Sequence, residues 1–260
     1  MHPTLVVIAE VADVTASPWR FQAHPEVWVL VAFVVGAWFY ALRKIAPHTP
    51  EVRAGAPVIT RRQAWLFTGA VAMLWLSSDW PIHDISEEYL YSVHMFQHMA
   101  LSYFLPPLVL LATPEWLFRA VIGSQRVGRV LRWFAKPVIA GLLFNLVVMI
   151  THIPDLVNRS VSNGLLHYSL HVMLVVSSLL MWTPVVAPDR TMRIGYGARM
   201  VYLFLMSVVP TVPAAWLTFA EGAVYKHYDI AIRVWGLSVT TRSEEHTSEL
   251  QSRFGISYAV

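Results

Sequence analysis

The residues best suited to chemistry are histidines set at helical spacing. His94 and His98 are four apart, and so are His167 and His171, so within a helix each pair projects from one face at successive turns. Two such pairs on facing helices can converge on one ion. Met95 and Met99 form the neighbouring stripe, and Met149 precedes His152 by less than a turn. Imidazole beside thioether is a donor set for copper, Cu(I) in particular. The chain has no cysteine, which removes any thiolate ligand, thiolate nucleophile or disulfide framework. The candidate metal ligands are therefore His94, His98, His152, His167 and His171, with Met95 and Met99. Taken singly, a histidine near a helix end is most often interfacial and a methionine in an apolar helix is packing. Their shared distribution along the chain argues for a metal or haem site.

These residues sit in a chain whose composition calls for a bilayer. Of 260 residues 56% are hydrophobic and 13% charged, and the mean hydropathy is +0.52, too apolar for an ordinary soluble domain of this size. The predicted fold is all-α, a polytopic transmembrane helix bundle. A spanning helix needs roughly 20 apolar residues, and six segments approach that: Glu26 to Leu42, Ala64 to Trp80, Leu90 to Ala112, Lys136 to Thr151, Leu165 to Val186 and Ala198 to Ala220. The first, second and fourth are short. Residues 1–24 are expected to form an exposed N-terminal arm, because Glu10 and Asp13 interrupt its apolar run and no basic segment precedes it as in a cleaved signal peptide. Residues 25–240 make up the transmembrane domain.

Loop charges predict the orientation. Arg43, Lys44, Arg53, Arg61 and Arg62 follow the first span, Arg119, Arg126, Arg129, Arg132 and Lys136 follow the third, and Arg190, Arg193 and Arg199 follow the fifth. The alternate segments hold only Arg20, Arg159, Lys226 and Arg233. Basic loops stay cytoplasmic, so the N-terminus is expected outside. Asp79, Asp84, Glu87, Glu88, Asp155, Glu221 and Asp229 then fall on the outer side with His83, His94, His98, His152, His167 and His171. No histidine falls in the inner half of a span, and only His48 lies in a cytoplasmic loop. The isoelectric point near 9.3 thus reflects topology, not nucleic-acid binding. Pro106, Pro107, Pro210 and Pro213 should bend their helices. No HExxH, GxSxG, Walker A or strand-linked GxGxxG motif is present, so hydrolase and nucleotide chemistry recede.

The chain resembles the multi-spanning CtaG-type cytochrome c oxidase assembly factors through Ser92-Val93-His94-Met95-Phe96-Gln97-His98-Met99, Thr151-His152-Ile153-Pro154 and Leu166-His167-Tyr168-Ser169-Leu170-His171. Met181-Trp182-Thr183-Pro184, Val201-Tyr202-Leu203-Phe204 and Ser207 to Tyr225 add to the likeness, which runs from about Trp65 to Val239. It implies a bacterial plasma-membrane protein that matures a haem-copper oxidase at its copper-loading stage, with the five histidines as copper ligands. Cytochrome c oxidase subunits, extracytoplasmic copper chaperones and the lipid bilayer are the implied partners, and no catalytic turnover is expected. The family usually continues into a seventh span, whereas residues 241–260 resemble translated adapter sequence and are expected to be a non-native tail. Three other readings stay open: a membrane haem oxidoreductase or electron carrier, a metal transporter, and an assembly scaffold that binds no metal.

Overall fold

A computed structural model describes residues 19–123 and 125–219, and throughout these residues the chain is helical without strands. The N-terminal arm up to residue 18, the end of the sixth expected span at Ala220 and the tail expected over 241–260 lie outside the described residues. Helix α1 spans Pro25–Tyr40, with Pro25 at its first position, where the missing N–H costs nothing, and runs on through a π turn Ala41–Ile45 to His48. Helix α2, Arg61–Ser78, opens on a capping box: Thr60 Oγ1 accepts from the Gln63 amide and Gln63 Oε1 from the Thr60 amide, which satisfies two orphan donors. Helix α3, Tyr91–Met99, passes through a π turn, Ala100–Phe104, into α4, Leu105–Ala112. Two amphipathic helices follow, α5 Glu115–Ile122 and α6 Gln125–Phe134. Helix α7 is Pro137–Thr151, α8 Pro154–Val161, α9 Gly164–Val186 and α10 Tyr196–Phe219.

Four stretches are long and apolar enough to cross a membrane: Pro25–His48, Tyr91–Ala112, Gly164–Val186 and Tyr196–Trp216. The chain is a helical membrane protein. Two of the six expected spans fall short. Helix α2 lies where the second span was expected, but Arg61-Arg62-Gln63 and Ser77-Ser78 occupy its ends, leaving a short apolar middle. Helix α7, the fourth, has 15 residues and qualifies only jointly with α6, from which it is bent by 70°.

Large apolar side chains cover much of the surface, and some polar ones are buried. Apolar side chains such as Val29, Phe33, Val138, Leu142 and Phe204 point outward, while Gln97, Ser86 and Ser178 are wholly buried. Such an exterior suits lipid, and such an interior satisfies its polar groups internally. Helix α9 is central: it packs on α4 and α7, while α2 packs on α4 and α10 on α7. Phe144, Val147, Val148, Leu174, Met181, Val185, Tyr202 and Met206 form the principal core between α7, α9 and α10. Gly141 permits the α7–α10 approach, because a Cβ there would lie 2.8 Å from Met206 Cε.

A π turn, Ala100–Phe104, precedes Pro106 and Pro107, where a bend was expected. Neither proline can donate to the carbonyls one turn back. The neighbouring helix compensates, for Trp182 Nε1 on α9 donates to the Ser102 carbonyl at 3.1 Å. A freed carbonyl is commonly re-satisfied in this way within a membrane.

Candidate metal centre

The π turn Ile85–Tyr89 leads into α3, and Asn163 caps α9 by accepting from the Leu166 amide at 3.1 Å. These two starts bring both histidine pairs to the same end of the bundle, face to face. Ring centroids are 4.4 Å apart for His94 and His98, 4.3 Å for His167 and His171, and 5.1 Å for His98 and His171 across the helices. His94 stands 6.1 Å from His171 and 6.2 Å from His167.

The four rings do not form one set. His94, His98 and His171 offer nitrogens that all lie within 4.8 Å of one another, and a second group with the same spacing comprises His83, Glu87 and His167. His98 Nε2 and His171 Nε2 are buried with no hydrogen-bond partner among the described residues. An unmatched buried polar atom costs about 1–3 kcal/mol, and a cation bound to both lone pairs would remove that cost. Imidazole donors of this kind suit copper, zinc, iron or nickel.

Glu87 joins the two groups. Its Oε1 is 3.2 Å from His94 Nδ1 and 3.2 Å from His167 Nε2. Burial pushes the Glu87 carboxyl up, but His94 beside it and the other nearby imidazoles outweigh that effect and hold it down to about 2. Burial pushes the His83 imidazole down to about 4 against the opposing pull of Glu87, so at neutral pH it is uncharged and keeps a lone pair.

Supporting polar residues fix this end of the bundle. Gln97 Nε2 donates to the Ser77 carbonyl at 2.6 Å, Gln97 Oε1 accepts from Ser86 Oγ at 2.9 Å, and the amide nitrogen lies 3.1 Å from His83 Nδ1. Asp79 Oδ2 accepts from the Trp28 and Trp75 indoles and so ties α1 to the end of α2. The last residues of the arm fold onto the same segment: His24 Nε2 is 2.7 Å from Asp84 Oδ1, and Gln22 donates to Glu88.

The remaining expected ligands are placed differently. His152 ends α7 in neither group, with its Nδ1 2.7 Å from the Val148 carbonyl oxygen. A carbonyl only accepts, so Nδ1 carries the proton and Nε2 the lone pair. Met95 and Met99 are buried, but each follows its histidine by one residue and so lies about 100° around the helix from it. Sequence reasoning missed His83 and Glu87 as a pair, although their four-residue spacing matches that of both HxxxH motifs. The segment from Ile82 to Tyr89, between the second and third expected spans, is helical.

No curated protein and no solved structure gives a match to this chain. The family model described as cytochrome c oxidase caa3 assembly factor matches residues 48–248, beyond Val239 where the resemblance was drawn. With most of its length matched, including every histidine of the two groups, the chain belongs to the caa3-type cytochrome c oxidase assembly factor family.

Proposed function

We propose that this assembly factor carries copper as cargo, holding it at His94, His98 and His171 and passing it to a cytochrome c oxidase subunit. Two observations support this most: His94, His98 and His171 offer ring nitrogens within 4.8 Å of one another, and His98 Nε2 and His171 Nε2 are buried without a hydrogen-bond partner among the described residues. Three imidazoles hold copper without enclosing it, so an incoming ligand can displace them one at a time. Such transfer needs neither a nucleophile nor a general base. The edge-on contact of the His98 and His171 rings at 5.1 Å favours an ion over haem, since it leaves no slot for a flat macrocycle between them.

In this reading the chain crosses a bacterial plasma membrane six times with its N-terminus outside. Helix α2 and the bent α6–α7 pair supply the two spans that fall short by length, and the basic loops face the cytoplasm. The histidine end then faces the extracytoplasmic side, where a soluble copper chaperone delivers and the oxidase subunit receives. The test is oxidase maturation in cells lacking the factor, complemented with wild type or with His98→Ala, His171→Ala at equal membrane levels. The copper reading expects oxidase that lacks copper in the variant; full copper content and activity would favour the scaffold reading.

A further inference from the structure

We propose that His83, Glu87 and His167 form a second cation site, one helical turn from the three-histidine set, so that the protein holds a pair of metal ions. The proposal deepens the copper reading above and rests on it.

The ligand atoms of this triad also lie within 4.8 Å of one another, and His83 and His167 are buried. Its carboxylate makes it a harder donor set than three imidazoles, suited to a divalent transition cation such as Cu(II) or Zn(II). Glu87 supplies negative charge at the point where two nearby cations would otherwise only repel, and its Oε1 reaches both groups, at 3.2 Å from His167 Nε2 and 3.2 Å from His94 Nδ1. His167 and His171 are successive turns of one helix and His94 and His98 of the other, so the two ions would stand roughly 6 Å apart, the rise of four helical residues.

The two sites would differ in how readily they exchange. Gln97, fixed by the Ser77 carbonyl and the Ser86 hydroxyl, points its amide at His83 Nδ1 from 3.1 Å. In the neutral ring that contact occupies the Nδ1 lone pair and leaves the proton on Nε2. A cation must compete with the amide or shift the tautomer to recruit His83. His98 and His171 have no such competitor. The carboxylate-containing site is therefore the exchangeable one, through which an ion enters or leaves the deeper three-histidine set.

Titration of the full chain in detergent with Cu(II), followed by washing, metal analysis and electron paramagnetic resonance, tests the pair. About two Cu(II) per chain are expected, with a spectrum broadened by coupling between neighbouring ions. Glu87→Gln should retain about one ion with the narrow spectrum of an isolated centre, and His98→Ala, His171→Ala about one ion at the carboxylate-containing site. The wild-type spectrum tests the pair without any variant: two uncoupled ions, or only one, would overturn the proposal. A single ion that survives Glu87→Gln but not the double histidine change would leave the copper reading intact and remove the second site. No bound copper in wild type would overturn both.

Discussion

The imidazoles near the centre differ in what they meet. His94 and His167 lie against Glu87 and His83 against Gln97, while His98 Nε2 and His171 Nε2 have no hydrogen-bond partner among the described residues. Gln97 supports this arrangement, being wholly buried and bonded through both ends of its amide. Gln97→Leu should leave the Ser77 carbonyl without that donor, while the Ser86 hydroxyl keeps the His83 carbonyl as acceptor, and lower stability by about 1–3 kcal/mol, read as a lower thermal midpoint of the metal-free protein in detergent. An unchanged midpoint would mean that the amide is not holding this end together. Much at this scale was legible in the sequence: the two HxxxH spacings identify which rings share a helix face. The division into two groups was not, because it depends on how far the facing helices are offset. Neither was the fate of His152, whose Nδ1 is taken by the Val148 carbonyl of its own helix, nor the approach of Glu87 to both groups, since its four-residue spacing from His83 lies outside the apolar runs that mark the spans.

Among the helices, proline and glycine set the approach of α4, α7, α9 and α10. Pro106 and Pro107 were read from the sequence as a bend, but the compensating donor, Trp182, is 80 residues away in the chain and no local pattern announces it. Trp182→Phe keeps an aromatic ring against the core but removes the donor to the Ser102 carbonyl, and should cost about 1 kcal/mol in a chemical or thermal melt. Loss of helix from the circular dichroism spectrum would instead mean that the indole is needed for folding. Gly141→Leu should be worse, because a side chain there meets Met206 and Tyr202, and over-packing of this kind costs about 1–3 kcal/mol. Wild-type stability in that variant would contradict the close α7–α10 contact. The sequence located the helices well and their sufficiency as spans less well. Hydrophobic runs mark where a helix lies, while the arginines at the start of α2 and the 70° turn before α7 determine how much of it is apolar and how it enters the bundle.

For the whole molecule, the charge pattern carries the orientation, and the absence of cysteine makes it simple to check. Ala56→Cys lies in a basic loop and Ser162→Cys between α8 and α9, and both positions are exposed. A membrane-impermeant maleimide applied to intact cells should label Ser162→Cys and leave Ala56→Cys unlabelled until the membrane is opened; the reverse pattern would invert the proposed topology. Orientation decides whether the histidine end meets the compartment where copper reaches the oxidase, but binding itself decides whether there is cargo to deliver. The most direct measurement is therefore copper retained per chain after Cu(I) loading and washing in detergent, for wild type beside His98→Ala, His171→Ala. The account predicts stoichiometric copper in wild type and loss of the His94–His98–His171 ion in the variant; equal and negligible copper in both would contradict it.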